Sequence, residues 1–305
     1  MEGALSSLAR GEAHQPLRMI VMPPQAKGDM ALMPSYFAGS QAAYGLKAVC
    51  FFPDNPDQGL DSHQGAVLLS SADNGELMAM MNASAITAIR TAAVSGVATK
   101  LLAREDSTQL AIIGSGVQAR AHLEAMACVR PIRRVRVASK RIDQARQFAG
   151  ELGSRYSFPI EPVVTVEDAV RGADVVVTAT TAERPIVQRY WISEGTHLNV
   201  VGSSIPTTRE VDGPTMAASS LFVDRRESTI NEGGDYLFAL QEGLIGPDHI
   251  RAEIGEVLIG KSRGRSSPDE ITLFKSLGLA IEDLASARFL YDKAKKLGEG
   301  TWVDF

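Results

Sequence analysis

One stretch constrains this chain more than any other. The apolar run Leu110-Ala111-Ile112-Ile113 passes directly into Gly114-Ser115-Gly116-Val117-Gln118-Ala119, a G-x-G-x-x-A where an expected strand meets an expected helix. In such a turn Gly114 permits the tight bend, Gly116 lets a pyrophosphate approach the backbone, and Ala119 lets helix and strand pack closely. The amides at the helix start then face the phosphates, where the helix dipole favours negative charge. Alone, the spacing is a weak signal, so the surrounding pattern has to decide. A helical period over 117–129 leads to a second apolar strand, RVRVAS at 134–139, and a second helix over 141–152. ADVVVTA at 173–179, HLNVVG at 197–202 and SSLFVD at 219–224 continue the series. Such near-continuous Val/Ile/Leu runs suit strands covered on both faces. The expectation is an α/β chain with a doubly wound, dinucleotide-binding domain.

The end of the second strand bears on which dinucleotide is bound. A carboxylate there would hold the ribose 2′-hydroxyl of NAD, but the chain reads Ala138-Ser139-Lys140-Arg141. Ser139 can hydrogen-bond a 2′-phosphate, and Lys140 and Arg141 can supply charge-assisted contacts to it. NADP(H) is therefore preferred, with NAD(H) possible; a merely solvated helix start is the competing reading of the two basic residues.

Before residue 84 the pattern differs. Apolar runs at 17–22 and 46–52 are bounded by Pro and Gly, and runs at 66–69 and 77–81 flank Asn74-Gly75, a hairpin signal. An antiparallel or mixed sheet is expected, then a long helix capped by Ser84 and rich in small residues (Ala88, Ala92, Ser95, Gly96, Thr99). The stretch ahead of Arg18 leaves little room for a helix, and residues 276–298 form a helical tail.

Composition removes several classes of function. A formal charge of −5 over 305 residues argues against a general nucleic-acid binder. No segment reaches the roughly 20 continuous apolar residues of a membrane span, and the start lacks a basic-then-apolar signal. Cys50 and Cys128 lie in apolar stretches and are expected to be buried thiols in a reducing compartment, the cytoplasm, with no metal site.

Ile86-Thr87-Ala88-Ile89-Arg90-Thr91-Ala92-Ala93, followed by the glycine turn, resembles the ornithine cyclodeaminase/mu-crystallin family. So do Ser62-His63-Gln64, Val201-Gly202-Ser203 with Arg209-Glu210 and Asp212, and Thr272-Leu273-Phe274-Lys275-Ser276-Leu277-Gly278 with Glu282-Asp283. The likeness runs from about residue 18 to 291. It implies a Rossmann domain (residues 94–284) inserted into an α+β substrate-binding and dimerisation domain (1–93 plus 285–305), a homodimer, and nicotinamide chemistry on small amino or imino acids. The family's substrate-binding cations match Arg18, Lys47 and Arg90, which suit a clamp for a substrate carboxylate; for Arg90 a structural ion pair is the competing reading. Lys47 and His63 are the candidate proton donors, although an ordinary lysine is a poor acid near neutrality and His63 could equally bridge backbone groups at a strand edge.

The family pattern further implies that Ser115, Val117 and Gln118 line the pyrophosphate turn, that Thr180, Val201 and Ser203 lie near the cofactor, and that Glu232 and Ser276 approach the active-site cleft. One departure matters. Where cyclodeaminases of the family carry an acid/base aspartate, this chain has Ser204, and a serine hydroxyl with no activating partner is no base near neutrality. The pattern is similar to the mu-crystallin branch, which reduces ketimines. The leading expectation is NADPH-dependent reduction of ketimine or cyclic-imine amino acids. Ornithine cyclodeaminase, an alanine-type dehydrogenase and a non-catalytic binder of small carboxylates are the alternatives.

Overall fold

The structure, a computed structural model, describes residues 1–39 and 42–303, with the backbone alone for Pro56 and Asp57. The chain divides into two compact units, Met1–Arg90 with Leu279–Phe305, and Thr91–Gly278. The family resemblance implies cuts at 93/94 and 284/285 instead.

The first unit opens with α1 (Glu2–Ala9), β1 (Ala13–His14), β2 (Met19–Val21), β3 (Asp29–Phe37), β4 (Ala43–Phe51), β5 (His63–Ser71) and β6 (Leu77–Asn82). These strands form one antiparallel sheet in the order β1-β3-β4-β5-β6, with β2 also on β3. The hairpin between β5 and β6 turns at Asn74-Gly75, where Gly75 takes φ +78° and the Asn74 side chain accepts the Glu76 N–H at 3.1 Å. β3 had no clear signature because Pro34 lies within it, and Pro argues against a strand interior.

α2 (Ala83–Leu102) follows β6 without a loop. Its first turn is capped by Asn82, whose Oδ1 accepts the Ala85 N–H at 2.9 Å, and not by Ser84, whose hydroxyl donates to Asp61 at 2.8 Å. Asn82 directly precedes the first helical residue, so its side chain is the one in reach. By length and hydropathy α2 could cross a membrane, contrary to the sequence reading, but 67% of its most apolar window is buried inside the protein. It is a core helix.

The second unit comprises β7 (Gln109–Ile113), α3 (Val117–Val129), β8 (Arg134–Ala138), α4 (Ile142–Leu152), β9 (Ile160–Pro162), α5 (Val166–Val170), β10 (Val175–Thr178) and β11 (His197–Val200). It continues with α6 (Gly213–Ala218), β12 (Ser220–Val223), α7 (Arg226–Glu232), α8 (Gly234–Gln241), β13 (Ile250–Glu253), α9 (Ile254–Leu258) and β14 (Thr272–Lys275). All eight strands are parallel, in the order β13-β12-β14-β11-β10-β7-β8-β9. From β9 to β14 this is the Rossmann order, and it reverses direction between β7 and β10, the crevice where such sheets bind dinucleotides. Two apolar clusters, one containing Phe148 and Leu123, the other Tyr236 and Leu221, bury the sheet.

The chain then returns to the first unit through α10 (Ala280–Leu297), which packs on β3, β4 and β5 and against α1. The N-terminus does hold a helix: Leu5 of α1 is buried. α10 can lie close to the sheet because Gly45 of β4 faces Leu284, whose side chain begins 2.9 Å from where a Cβ would stand. The cysteines depart from expectation. Both are free, Cys50 half-buried and Cys128 exposed on α3, because Ala119, Leu123 and Met126 form that helix's buried side.

Candidate active site

The glycine turn joins β7 to α3 at the switch point. Gly114 has φ +115°, and a Cβ there would stand 2.4 Å from the Ala179 carbonyl, so the protein's own packing requires glycine. Gly116 is different. It precedes the first residue of α3, and a Cβ on it would meet nothing within 4 Å. The space above Gly116 is therefore a cradle, kept clear at the positive end of a helix, and it suits a pyrophosphate. Ala119 is fully buried under the turn and Val117 is half exposed above it. At the end of β8, Ser139 donates to Gln144 at 3.1 Å and takes a hydrogen bond from Ser115 at 2.9 Å, which ties the second strand to the glycine turn. Lys140 and Arg141 are exposed beside it, at the start of α4.

The C-terminal ends of β10 and β11 are bound together by Glu210. This fully buried carboxylate accepts from the Thr178 hydroxyl (2.7 Å), the Thr180 N–H (2.8 Å) and hydroxyl (2.7 Å), and the Gly202 N–H (2.7 Å). Burial raises its pKa, against the pull of Lys275. Asp235 accepts the N–H groups of Glu210 (2.7 Å) and Val211 (3.0 Å) and pairs with Lys275 at 2.8 Å. Thr180 and the 201–203 loop are thereby fixed; Val201 is buried, and Ser203 donates to the Thr208 carbonyl at 2.6 Å. Ser276, just past β14, gives its N–H to the Val200 carbonyl, yet its own buried hydroxyl has no hydrogen-bond partner. Such an orphaned group at the strand ends fits a bound polar ring substituent. The Gln118 backbone carbonyl accepts from His122 Nδ1 at 2.7 Å, and Glu232 ends α7 half-buried.

In the first unit a second set of charges is buried. Lys47 projects from β4 with its Nζ 3.3 Å from both carboxylate oxygens of Asp283 on α10. Arg90 of α2 reaches the same carboxylate with Nε at 3.0 Å, and its Nη1 pairs with Glu282 at 2.7 Å. All four side chains are at most 5% exposed. Burial lowers the Lys47 pKa to about 8, even though Asp283 favours its charge; Arg90 and Arg18 push in the same direction as burial. Arg18, just before β2, is thus close enough to be felt. For Arg90, burial opposes the charge but Asp283 and Glu282 outweigh it, and the pKa rises.

His63 opens β5, its ring 5.0 Å from Phe51 and its Nδ1 3.1 Å from the Ser62 hydroxyl. Its pKa is lowered to about 4, first by burial, then by Lys47 and Arg90. It is neutral at pH 7, which removes the expected advantage of His63 as an acid. Lys47, expected to be a poor acid, has the better-placed pKa. Arg18, Lys47, Arg90 and His63 thus belong to one neighbourhood. Glu282 and Asp283 were given no role in the sequence reading, although two acids on the buried face of a helix's first turn signal an unseen cation. Among the described residues no cluster of His, Cys, Asp and Glu could hold a metal ion.

The chain and its structure are similar to several known proteins. The chain is 39% identical to the ketimine reductase mu-crystallin of Mus musculus over 295 residues, 96% of this chain and 90% of that one. The structure superposes with a TM-score of 0.96 on the Δ1-pyrroline-2-carboxylate reductase of Thermococcus litoralis, solved with NADH and L-proline, at 42% identity, covering 99% of this chain and 93% of that one. An archaeal alanine dehydrogenase dimer with bound NAD gives a TM-score of 0.93 at 35% identity, covering 100% and 92%. Residues 1–298 match the model of one family. The chain belongs to the ornithine cyclodeaminase/mu-crystallin family.

Proposed function

We propose that the protein reduces ketimine or cyclic-imine amino acids, of the pyrroline or piperideine carboxylate type, to the L-amino acid, using NADP(H) in preference to NAD(H). The observation that carries this reading is the buried ammonium of Lys47. With a pKa of about 8 it is protonated at neutral pH and still able to give its proton to an imine nitrogen. The identities to a ketimine reductase and a pyrroline-2-carboxylate reductase support it, as does Ser204 in place of the cyclodeaminase aspartate.

In this reading Arg18 and Arg90 hold the substrate carboxylate, Lys47 protonates the nitrogen, and neutral His63 shapes the site as an apolar and hydrogen-bonding wall. The reduced nicotinamide, when bound, supplies the hydride to the imine carbon. Gly114, Ser115, Gly116, Val117 and Gln118 hold the pyrophosphate; Ser139, Lys140 and Arg141 hold the 2′-phosphate; Thr180, Val201, Ser203 and Ser276 hold the nicotinamide end, with Glu232 at the edge of the cleft. The first unit is then the substrate and dimerisation domain, and the second the cofactor domain.

A homodimer through the first unit is supported by the sheet face opposite α10. There Met30 is 40% exposed and Tyr44 53%, and the Tyr44 ring lies tilted against that of Tyr36 with centroids 4.9 Å apart. The two free thiols support a cytoplasmic setting.

The test is a cofactor-consumption assay with cyclic imino acids. NADPH loss with formation of a saturated L-amino acid is the expected result. Proline and ammonia from ornithine with catalytic NAD would replace the reading with a cyclodeaminase, and NADPH binding without turnover on any imino or amino acid would replace it with a binding protein.

A further inference from the structure

The four buried charges of the first unit are arranged around one residue. The carboxylate of Asp283 is shared by two cations, bonded to Lys47 through both oxygens and to Arg90 through one. Glu282 pairs with Arg90. Asp283 sits in the first turn of α10, where the helix dipole favours a carboxylate, and the helix is seated by the close approach of Leu284 to Gly45. Its position is thus set by the backbone. Lys47 is a four-carbon chain with three rotatable donors, and takes its position from its partner.

Charge adds a second argument. Arg90 and Arg18 both act on Lys47 in the same direction as burial, and Asp283 is the carboxylate that opposes them.

We propose that Asp283 is the positioning residue of this site: it aims the Lys47 ammonium, holds its proton until the imine nitrogen takes it, and leaves Arg90 one face for the substrate. This rests on the imine-reductase reading above for the identity of the proton acceptor, but not for the link between Asp283 and Lys47. Burial already draws the Lys47 pKa down to about 8, and Asp283 is the main force opposing that fall.

The experiment compares Asp283→Asn with Glu282→Gln. Rates with a cyclic imino acid and NADPH are followed across pH, the substrate's own ionisation being common to all proteins. In parallel, Lys47 is titrated by NMR of lysine-labelled protein, its resonance assigned with Lys47→Met. Asp283→Asn is expected to move the alkaline limb of kcat and the Lys47 titration down by about one pH unit or more. Glu282→Gln is expected to leave both in place and raise KM. Equal titrations in wild type and Asp283→Asn would overturn the proposal while leaving the reductase reading intact. No turnover of imines by the wild type would overturn that reading, and the NMR titration would still decide the role of Asp283. Should Asp283→Asn fail to fold, Asp283→Glu keeps the charge but displaces it. It is expected to keep the titration and lower kcat by at least tenfold, and an unchanged kcat would refute positioning.

Discussion

Each unit buries a lysine against an aspartate, and the two pairs are built differently. In the second unit Lys275 meets Asp235 at 2.8 Å, and the carboxylates around it are tied down by backbone amides and threonine hydroxyls. In the first unit Lys47 meets Asp283 at 3.3 Å, and the partners on both sides are other ions. A charge held by fixed dipoles has nowhere to go and fastens strand ends together. A charge held among other charged side chains is tuned by them, and on the reading proposed above that is what suits Lys47 to give up its proton. On that reading the same residue pair serves a structural purpose in one place and a chemical one in the other.

Substitution of the lysines is the strongest way to break this contrast. Lys47→Met, which leaves Asp283 paired with Arg90, is expected to lower kcat by about 10²–10⁴-fold with little change in melting temperature. Steady-state rates and a thermal melt read both. Lys275→Met should do the opposite and cost about 3–5 kcal/mol of stability, because it leaves Asp235 buried without its cation. Denaturant unfolding measures that cost, and a variant as stable as wild type would show that the second pair is not structural.

pH separates the units more gently. His122 and His197, both fully buried in the second unit, have pKa values lowered to about 4 and about 3, chiefly by burial. They stay neutral in the folded protein while the unfolded chain takes up protons below about 6.5. Stability is therefore complete above pH 6.5 and falls by about 1.4 kcal/mol per site per pH unit as pH drops towards 4. Activity responds at the other end, declining above about pH 8 as Lys47 loses its proton. Urea midpoints at pH 5 and 7, set beside a rate profile from 7 to 10, would show whether the acid effect is one of folding and the alkaline effect one of catalysis.

The smallest expected effect concerns cofactor choice. Ser139→Asp should turn the preference from NADPH to NADH by about tenfold, since a carboxylate repels the 2′-phosphate and accepts from the ribose hydroxyl. The ratio of kcat/KM values is the measure, and an unchanged ratio would sever Ser139, Lys140 and Arg141 from that role.

The two units also differ in how openly the chain announces them. In the second, Leu110 to Ala119 spells out strand, turn and helix, because a parallel sheet needs apolar strands and a phosphate turn needs glycine at fixed places. The first unit hides its design. Pro34 masks β3, and Lys47 sits within an apolar strand with nothing nearby in sequence to neutralise it. Its partner, Asp283, lies 236 residues away, a juxtaposition only the fold creates. β14 escaped for a related reason: it is four residues long and ends in Lys275, whose buried pairing is equally non-local. The cap at Asn82 and the exposure of Cys128 turn on one helical position each, below what local pattern resolves.

The return of α10 to the first sheet has a consequence for how the protein is made. The 236 residues between Lys47 and Asp283 take on the order of ten to fifty seconds to synthesise at usual elongation rates. Throughout that interval β4 has emerged with its lysine, and the whole of Thr91–Gly278 has been completed, before any carboxylate of α10 exists. A nascent chain can thus carry the complete sequence of the dinucleotide fold while Lys47 is still without its counter-ion. A message cut short at Gly278 would yield a product with the cofactor turn intact and Asp283 missing. The charge balance of the first unit is thus completed only after the whole second unit has been synthesised.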